Sequence, residues 1–195
     1  MGKIAVLTND LQYDLVHKNP QRSAVVAEAT PVFVKFLEEI RQRGHIVVHL
    51  QLISLADDAT AERKPDGTLY VASGSAGAEI LEEFLDPGDI VLEKNKDSGF
   101  YETDLHDRLQ QAGVDTVVIT GMQTQICVQT TAADAFFRGY NVWVPADCVV
   151  STNPADRDRA LEWLGGYCAT VVDAAELIDV LDANGHLPRK AVVAP

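Results

Sequence analysis

Short apolar runs rich in valine and isoleucine alternate along the chain with longer segments whose apolar positions recur at helical spacing. Residues 4–8, 46–50, 90–92, 114–120, 142–145 and 169–172 read as strands. Residues 25–43 carry Val25, Val26, Ala29, Val32, Phe36, Leu37 and Ile40 at mostly helical spacing, and Gly44 stops the run. Pro31 falls inside that pattern, which predicts a helix starting there with Thr30 as its cap. Further helices are predicted over 103–112 (Thr103 as cap, Gly113 as stop), 126–138, 154 to about 164, and 174–181. Residues 52–79 are polar and glycine-rich and read as a long loop placed to cover a site. Residues 184–195 form a tail with no clear element, so the domain is placed at 1–183.

Six strands alternating with helices predict an α/β fold: one domain, a doubly wound six-stranded parallel sheet with helices on both faces. In such sheets, ligands and chemistry sit beyond the carboxyl ends of the strands, near the point where strand order reverses. That rule singles out Thr8-Asn9-Asp10, Glu93-Lys94 and Thr120-Gly121.

Composition narrows the function. The chain has 195 residues, 47% of them apolar, enough for one packed core. A net charge of −13 argues against nucleic acid as a partner, since phosphate binding needs basic patches. No apolar run is long enough to cross a membrane. The start of the chain leads straight into an apolar strand with no leader pattern, so a cytoplasmic protein is expected. Cys127, Cys148 and Cys168 are too few and too scattered for a disulfide framework.

Three residues at the predicted strand ends carry complementary chemistry. Asp10 closes an apolar strand, where partial desolvation raises a carboxyl pKa and suits it to proton transfer. Lys94 closes another strand and can stabilise an adjacent anion. Cys127 follows a strand, Gly121 and a short loop, at the start of a helix whose N–H groups favour a thiolate and can bind an oxyanion. Singly, each also fits a structural role: a loop-capping aspartate, a solvated lysine, a buried inert cysteine. Together they are the base, cation and nucleophile that acyl transfer needs. Gln12 and Tyr13 follow Asp10 and are candidates to line a pocket, as is Phe100. Cys148, Cys168, Trp143 and Trp163 read as packing residues, His49 as a core or pocket-edge imidazole, and Ala72-Ser73-Gly74-Ser75-Ala76-Gly77 as a plain flexible loop.

The block Glu93-Lys94-Asn95-Lys96-Asp97-Ser98-Gly99-Phe100, followed by Thr103-Asp104-Leu105, resembles the lysine-bearing motif of the isochorismatase-like cysteine hydrolases. Residues 113–121, then Thr124-Gln125-Ile126-Cys127-Val128, Thr131-Ala132-Ala133-Asp134-Ala135 and Arg138-Gly139-Tyr140, resemble that family's nucleophile block. Asp10-Leu11-Gln12-Tyr13-Asp14-Leu15 is similar to its opening motif, with Tyr13 and Leu15 as departures. The resemblance implies an Asp-Lys-Cys triad at Asp10, Lys94 and Cys127. It implies a cis peptide at Met122-Gln123, an oxyanion hole from the N–H groups of Gln123 and Cys127, and a homo-oligomer, commonly a dimer or tetramer. The implied chemistry is hydrolysis of a small amide, carbamoyl or ureido compound through a thioester. Some members hold a metal through an Asp-x-His pair after the second strand. Here that stretch reads His49-Leu50-Gln51-Leu52-Ile53-Ser54, so no metal and no cofactor are expected. Members with a carboxylate in place of the cysteine cleave a vinyl ether, which Cys127 disfavours. Hydrolysis of an ester or cyclic amide, and a non-catalytic binding or regulatory protein on the same fold, stay open as alternatives.

Overall fold

In the computed structural model, which describes residues 3–190, seven parallel strands form one sheet: β1 (Lys3–Asn9), β2 (Ile46–Leu52), β3 (Ile90–Lys94), β4 (Val114–Met122), β5 (Asn141–Pro145), β6 (Val149–Val150) and β7 (Thr170–Val172). Their order is β3-β2-β1-β4-β5-β7, with β6 paired to the end of β4. The six expected strands are all present. The seventh, β6, is two residues long and sits behind the turn Ala146–Cys148, too short to leave a periodicity in the sequence.

Alternation along the central strands divides the core between two faces. Ile4, Val6, Val47, Val118 and Trp143 pack on one side under α2 (Pro20–Gln42) and α6 (Ala174–Asn184). Ala5, Leu7, Val48, Val117, Ile119 and Val142 pack on the other under α3 (Leu105–Gln111), α4 (Gln129–Phe137) and α5 (Pro154–Tyr167). Both faces of β1 and β4 are therefore dry, as their near-continuous apolar sequences require. A one-turn helix, α1 (Tyr13–Val16), precedes α2.

Several element boundaries differ from expectation for local reasons. Helix α2 starts at Pro20, not Pro31: Asn19 caps it by accepting from Arg22 N–H at 2.8 Å, and Pro20 occupies the first turn, where a missing N–H costs nothing. Pro31 is interior. It forfeits the bond to the Ala27 carbonyl, and Ala27 is exposed, so water can take the donor's place. Thr30 is no cap, since its hydroxyl donates back to Val26 O at 2.8 Å. Thr103 likewise precedes the cap position, which Asp104 occupies, and donates to Gly99 O. The expected helix at 126–138 opens instead as a π-helical turn, Thr124–Val128, before α4.

The tail is not loose where it is described. Leu187 is buried, Pro188 O accepts from Trp143 Nε1 at 3.2 Å, and Lys190 Nζ donates to Ala169 O. Residues 191–195, the apolar end of the tail, lie outside the described residues. Trp143 is buried, but Trp163 is 41% exposed, with its ring tilted against Tyr167. Among the described residues, no helix is long and apolar enough to cross a membrane.

Candidate active site

Because the chain winds outward from β1 to β3 and then returns to β4 on the other side of β1, the strand order reverses between β1 and β4. Asp10 follows β1 and Cys127 follows β4, so the two flank that crevice. Lys94 ends β3, two strands from β1, and its long stem crosses the end of β2 to reach back. Lys94 Nζ lies 2.9 Å from Asp10 Oδ1 and donates to Asp10 Oδ2 at 3.2 Å. Its remaining donors go to the carbonyls of Lys96 and Asp97, each at 3.1 Å. Asp10 is held by backbone: its N–H donates to Leu50 O at 3.1 Å, and it adopts a positive φ of 58°, a conformation that short polar residues tolerate best.

Asn9 ties the crevice together. It is fully buried, donates to Thr120 O at 3.1 Å, and accepts from the Thr131 hydroxyl of α4 at 3.1 Å. Opposite it stands Gly121, with φ of 102°; a Cβ there would sit 2.2 Å from Asn9 O. Only glycine lets the two strand ends approach this closely. The following Met122-Gln123 peptide is cis. In the π turn, Gln123 O accepts from Ile126 N–H at 3.0 Å and from Val128 N–H at 3.3 Å, an i−5 bond that steps over Cys127.

Cys127 Sγ faces two carboxylates. It donates to Asp97 Oδ1 at 3.7 Å and is within hydrogen-bonding reach of Asp10. Burial pushes the thiol well above the ordinary cysteine range, Asp10 and Asp97 add to the rise, and Lys94 opposes it. Cys127 does lie in the turn that opens α4, as expected, but burial works against the thiolate there, and desolvation outweighs the nearby cation. Burial also raises the Asp10 carboxyl, against the pull of Lys94. For Lys94, burial works against the ammonium, but Asp10 and the Cys127 sulfur outweigh it and the pKa is raised. Cys148 and Cys168 are buried thiols with pKa values pushed up by desolvation, that of Cys168 to about 11.

The three residues expected to touch a substrate behave differently. Gln12 is fully buried, and its amide is committed to the backbone: Nε2 donates to Leu52 O and Ala78 O, and Oε1 accepts from Leu52 N–H. It fastens a loop and has no group left for a ligand. Phe100 is 3% exposed, stacked on Tyr140 and covered by the Arg138 guanidinium, so it is core. Tyr13 is exposed and lines two surface clefts, one of about 390 Å³ with Lys18, Lys64 and Tyr70, the other of about 330 Å³ with Gln51, Glu79 and Val91. Neither cleft is lined by Asp10, Lys94 or Cys127.

Other residues of the recognised blocks are scaffold. Ser98 Oγ donates to Asp134 Oδ2 at 2.7 Å, Arg138 Nε holds Asp134 Oδ1 at 2.8 Å, and Thr131 accepts from Gly99 N–H at 3.1 Å. These bonds pin the Lys94–Gly99 turn onto α4. His49 is fully buried with both ring nitrogens occupied, Nδ1 by Thr8 Oγ1 at 2.7 Å and Nε2 by Asp89 Oδ2 at 2.9 Å. Among the described residues, no group of three or more His, Cys, Asp or Glu is arranged to hold a metal. Asp97, Asn9 and Thr131 took no role from sequence reasoning. All three lie in the quoted motifs or at the noted strand ends, but their polar side chains carry no spacing signal of their own.

The isochorismatase domain model matches residues 4–176, and the chain belongs to that family. A ureidoacrylate amidohydrolase from Methylobacterium radiotolerans is 35% identical over 138 residues, 69% of this chain and 54% of that protein. The chain thus spans about half the length of that relative. The crystal structure of an isochorismatase family protein from Desulfovibrio vulgaris superposes with a TM-score of 0.83 at 29% identity, covering 93% of this chain and 100% of that one. N-carbamoylsarcosine amidase from Thermoplasma acidophilum superposes with a TM-score of 0.73 at 30% identity, covering 88% of this chain and 96% of that one.

Proposed function

We propose that this protein is a cysteine-dependent hydrolase of small carboxamide, carbamoyl or ureido compounds, with Cys127 as nucleophile, Asp10 as proton carrier and Lys94 as their fixed counter-ion. The observation that carries this reading is the buried Asp10–Lys94 ion pair set beside a buried free thiol at the switch point of the sheet. A charge pair taken out of water at a crevice is costly to keep for packing alone. The names of similar proteins, an amidohydrolase and an amidase, support the same bond class.

In this mechanism the resting thiol is neutral. Asp10 takes its proton as sulfur attacks the scissile carbonyl, so no free thiolate need accumulate. Lys94 keeps Asp10 ionised between proton transfers. The N–H groups of Gln123 and Cys127 face the developing oxyanion. Asp10 then returns the proton to the leaving nitrogen, a thioester forms, and water activated by Asp10 releases the acid and restores the thiol. The test is ammonia release from a panel of small amides, ureas and carbamoyl acids by wild type and Cys127→Ala. Release by wild type alone supports the reading. Equal release by both removes Cys127 as the nucleophile, and none across the panel with Cys127 also inert to alkylation replaces the reading with a binding role.

A further inference from the structure

We propose that Asp97 determines the charge of the substrate: it selects small amides bearing a cationic nitrogen next to the scissile carbonyl and rejects those bearing a carboxylate there. The inference rests on the hydrolase reading for its substrates, and on geometry for its site. Asp97 Oδ1 accepts from the Cys127 thiol at 3.7 Å, yet Asp97 itself is exposed. Its position is not accidental. The carbonyls of Lys96, just before it, and of Asp97 itself each accept from Lys94 Nζ at 3.1 Å, and the next residue, Ser98, is bonded to Asp134 of α4. The backbone is therefore anchored on both sides of the carboxylate, which leaves its side chain at the mouth of the crevice.

The carboxylate at that mouth has no ion-pair partner of its own among the described residues. Lys94 is taken by Asp10, and Lys96, the nearest other cation in sequence, is turned away to Asp58. Among the described residues no cation forms a salt bridge with Asp97. With a neutral thiol, the Asp10–Lys94–Asp97 group carries one net negative charge. When sulfur's proton rests on Asp10 the three residues sum to zero and the oxyanion carries the negative charge, so the site as a whole stays at one net negative charge. A ligand carboxylate beside the scissile carbonyl would add a like charge within a few ångströms of Asp97. An ammonium or amidinium there would find its partner. The exposed setting admits solvent, so the discrimination is about tenfold per charge and not many orders of magnitude.

The test measures charge selection on the thiol first, independently of turnover. Wild type, Asp97→Asn and Asp97→Glu are alkylated with iodoacetamide and iodoacetate, and modification is read at Cys127 by peptide mass, apart from Cys148 and Cys168. The neutral-to-anionic rate ratio, divided by that of free cysteine, cancels any change in thiolate fraction. Wild type is expected to give a ratio about tenfold above free cysteine, collapsing toward it in high salt. Asp97→Asn is expected to fall close to free cysteine, and Asp97→Glu to stay with wild type. A wild-type ratio equal to that of free cysteine, or one unchanged in Asp97→Asn, overturns the proposal. The second arm compares glycinamide with malonamate, where Asp97→Asn should shift the kcat/KM ratio about tenfold toward the anion. Charge-selective alkylation with no amide cleaved sinks the hydrolase reading alone. Amide cleavage that prefers malonamate in wild type sinks this one.

Discussion

Lys94 Nζ and Asp10 Oδ1 meet at 2.9 Å although the strands that carry them are separated by the whole of β2. Both side chains are essentially buried, so neither charge has water to fall back on. Removing Lys94 alone strands a carboxylate in the interior. Lys94→Met is expected to lower stability by about 3–5 kcal/mol and abolish turnover. The double variant Asp10→Asn/Lys94→Met should recover much of that stability while staying inactive. Thermal unfolding paired with the amide assay measures both, and a Lys94→Met protein as stable as wild type would show that the pair is not buried in solution.

The raised Cys127 thiol has a kinetic signature. Alkylation of Cys127 by iodoacetamide should be slow near neutrality and still climbing at about pH 9, because burial and two carboxylates hold the proton on sulfur. Asp10→Asn, which removes one of those carboxylates, should shift the profile to lower pH. A plateau reached below pH 8 in the wild type would contradict the environment described for this sulfur.

Gly121 offers a test of how tightly the crevice is closed. A methyl group there would overlap the Asn9 backbone and hold the residue at a φ of 102°. Gly121→Ala is expected to cost about 3 kcal/mol and to reduce kcat far more than any change at Gly44, which has open space around it. Denaturant melts of the two alanine variants, side by side, decide it.

Asp89 supplies the acid limit of the fold. Burial acts to raise its pKa, but hydrogen bonds from His49 and Arg41 outweigh burial and lower it. A group lowered in the folded state contributes stability above its ordinary value of 3.8 and loses it as pH falls through the depressed value. The melting temperature of wild type should therefore drop steeply below about pH 4. Asp89→Asn should start less stable at neutral pH and show a shallower acid slope. Parallel slopes would remove Asp89 as a contributor.

Much of this architecture is legible from residues alone, because alternation and helical spacing report burial directly. The run at residues 114–120 is apolar enough to read as a strand dry on both faces, and the alternation of such runs with helices puts the strand ends on one edge. What the sequence could not convey is where polar side chains terminate. Gln12 and Phe100 sit in the right segments for a pocket, yet one is tied to backbone and the other is packed in the core. Pro31 misled because Thr30-Pro31 reads as a capped helix start, whereas the true start is Asn19-Pro20 and the Thr30 hydroxyl bonds back to Val26 inside the helix. Asp97 was hidden for the opposite reason: a charged residue in a charged run looks solvated until the fold brings a sulfur to it.

Gln12 joins residues far apart in the chain, since one amide holds both Leu52 and Ala78. The intervening loop is thereby closed at its base, much as a clasp closes a bracelet, and whatever is threaded between those two points leaves the sheet edge undisturbed. Such a segment can be lengthened, shortened or exchanged at small entropic cost, because closure depends only weakly on loop length. New substrate preferences could therefore arise by replacing that segment as a cassette, with the chemistry of the three strand ends inherited unchanged.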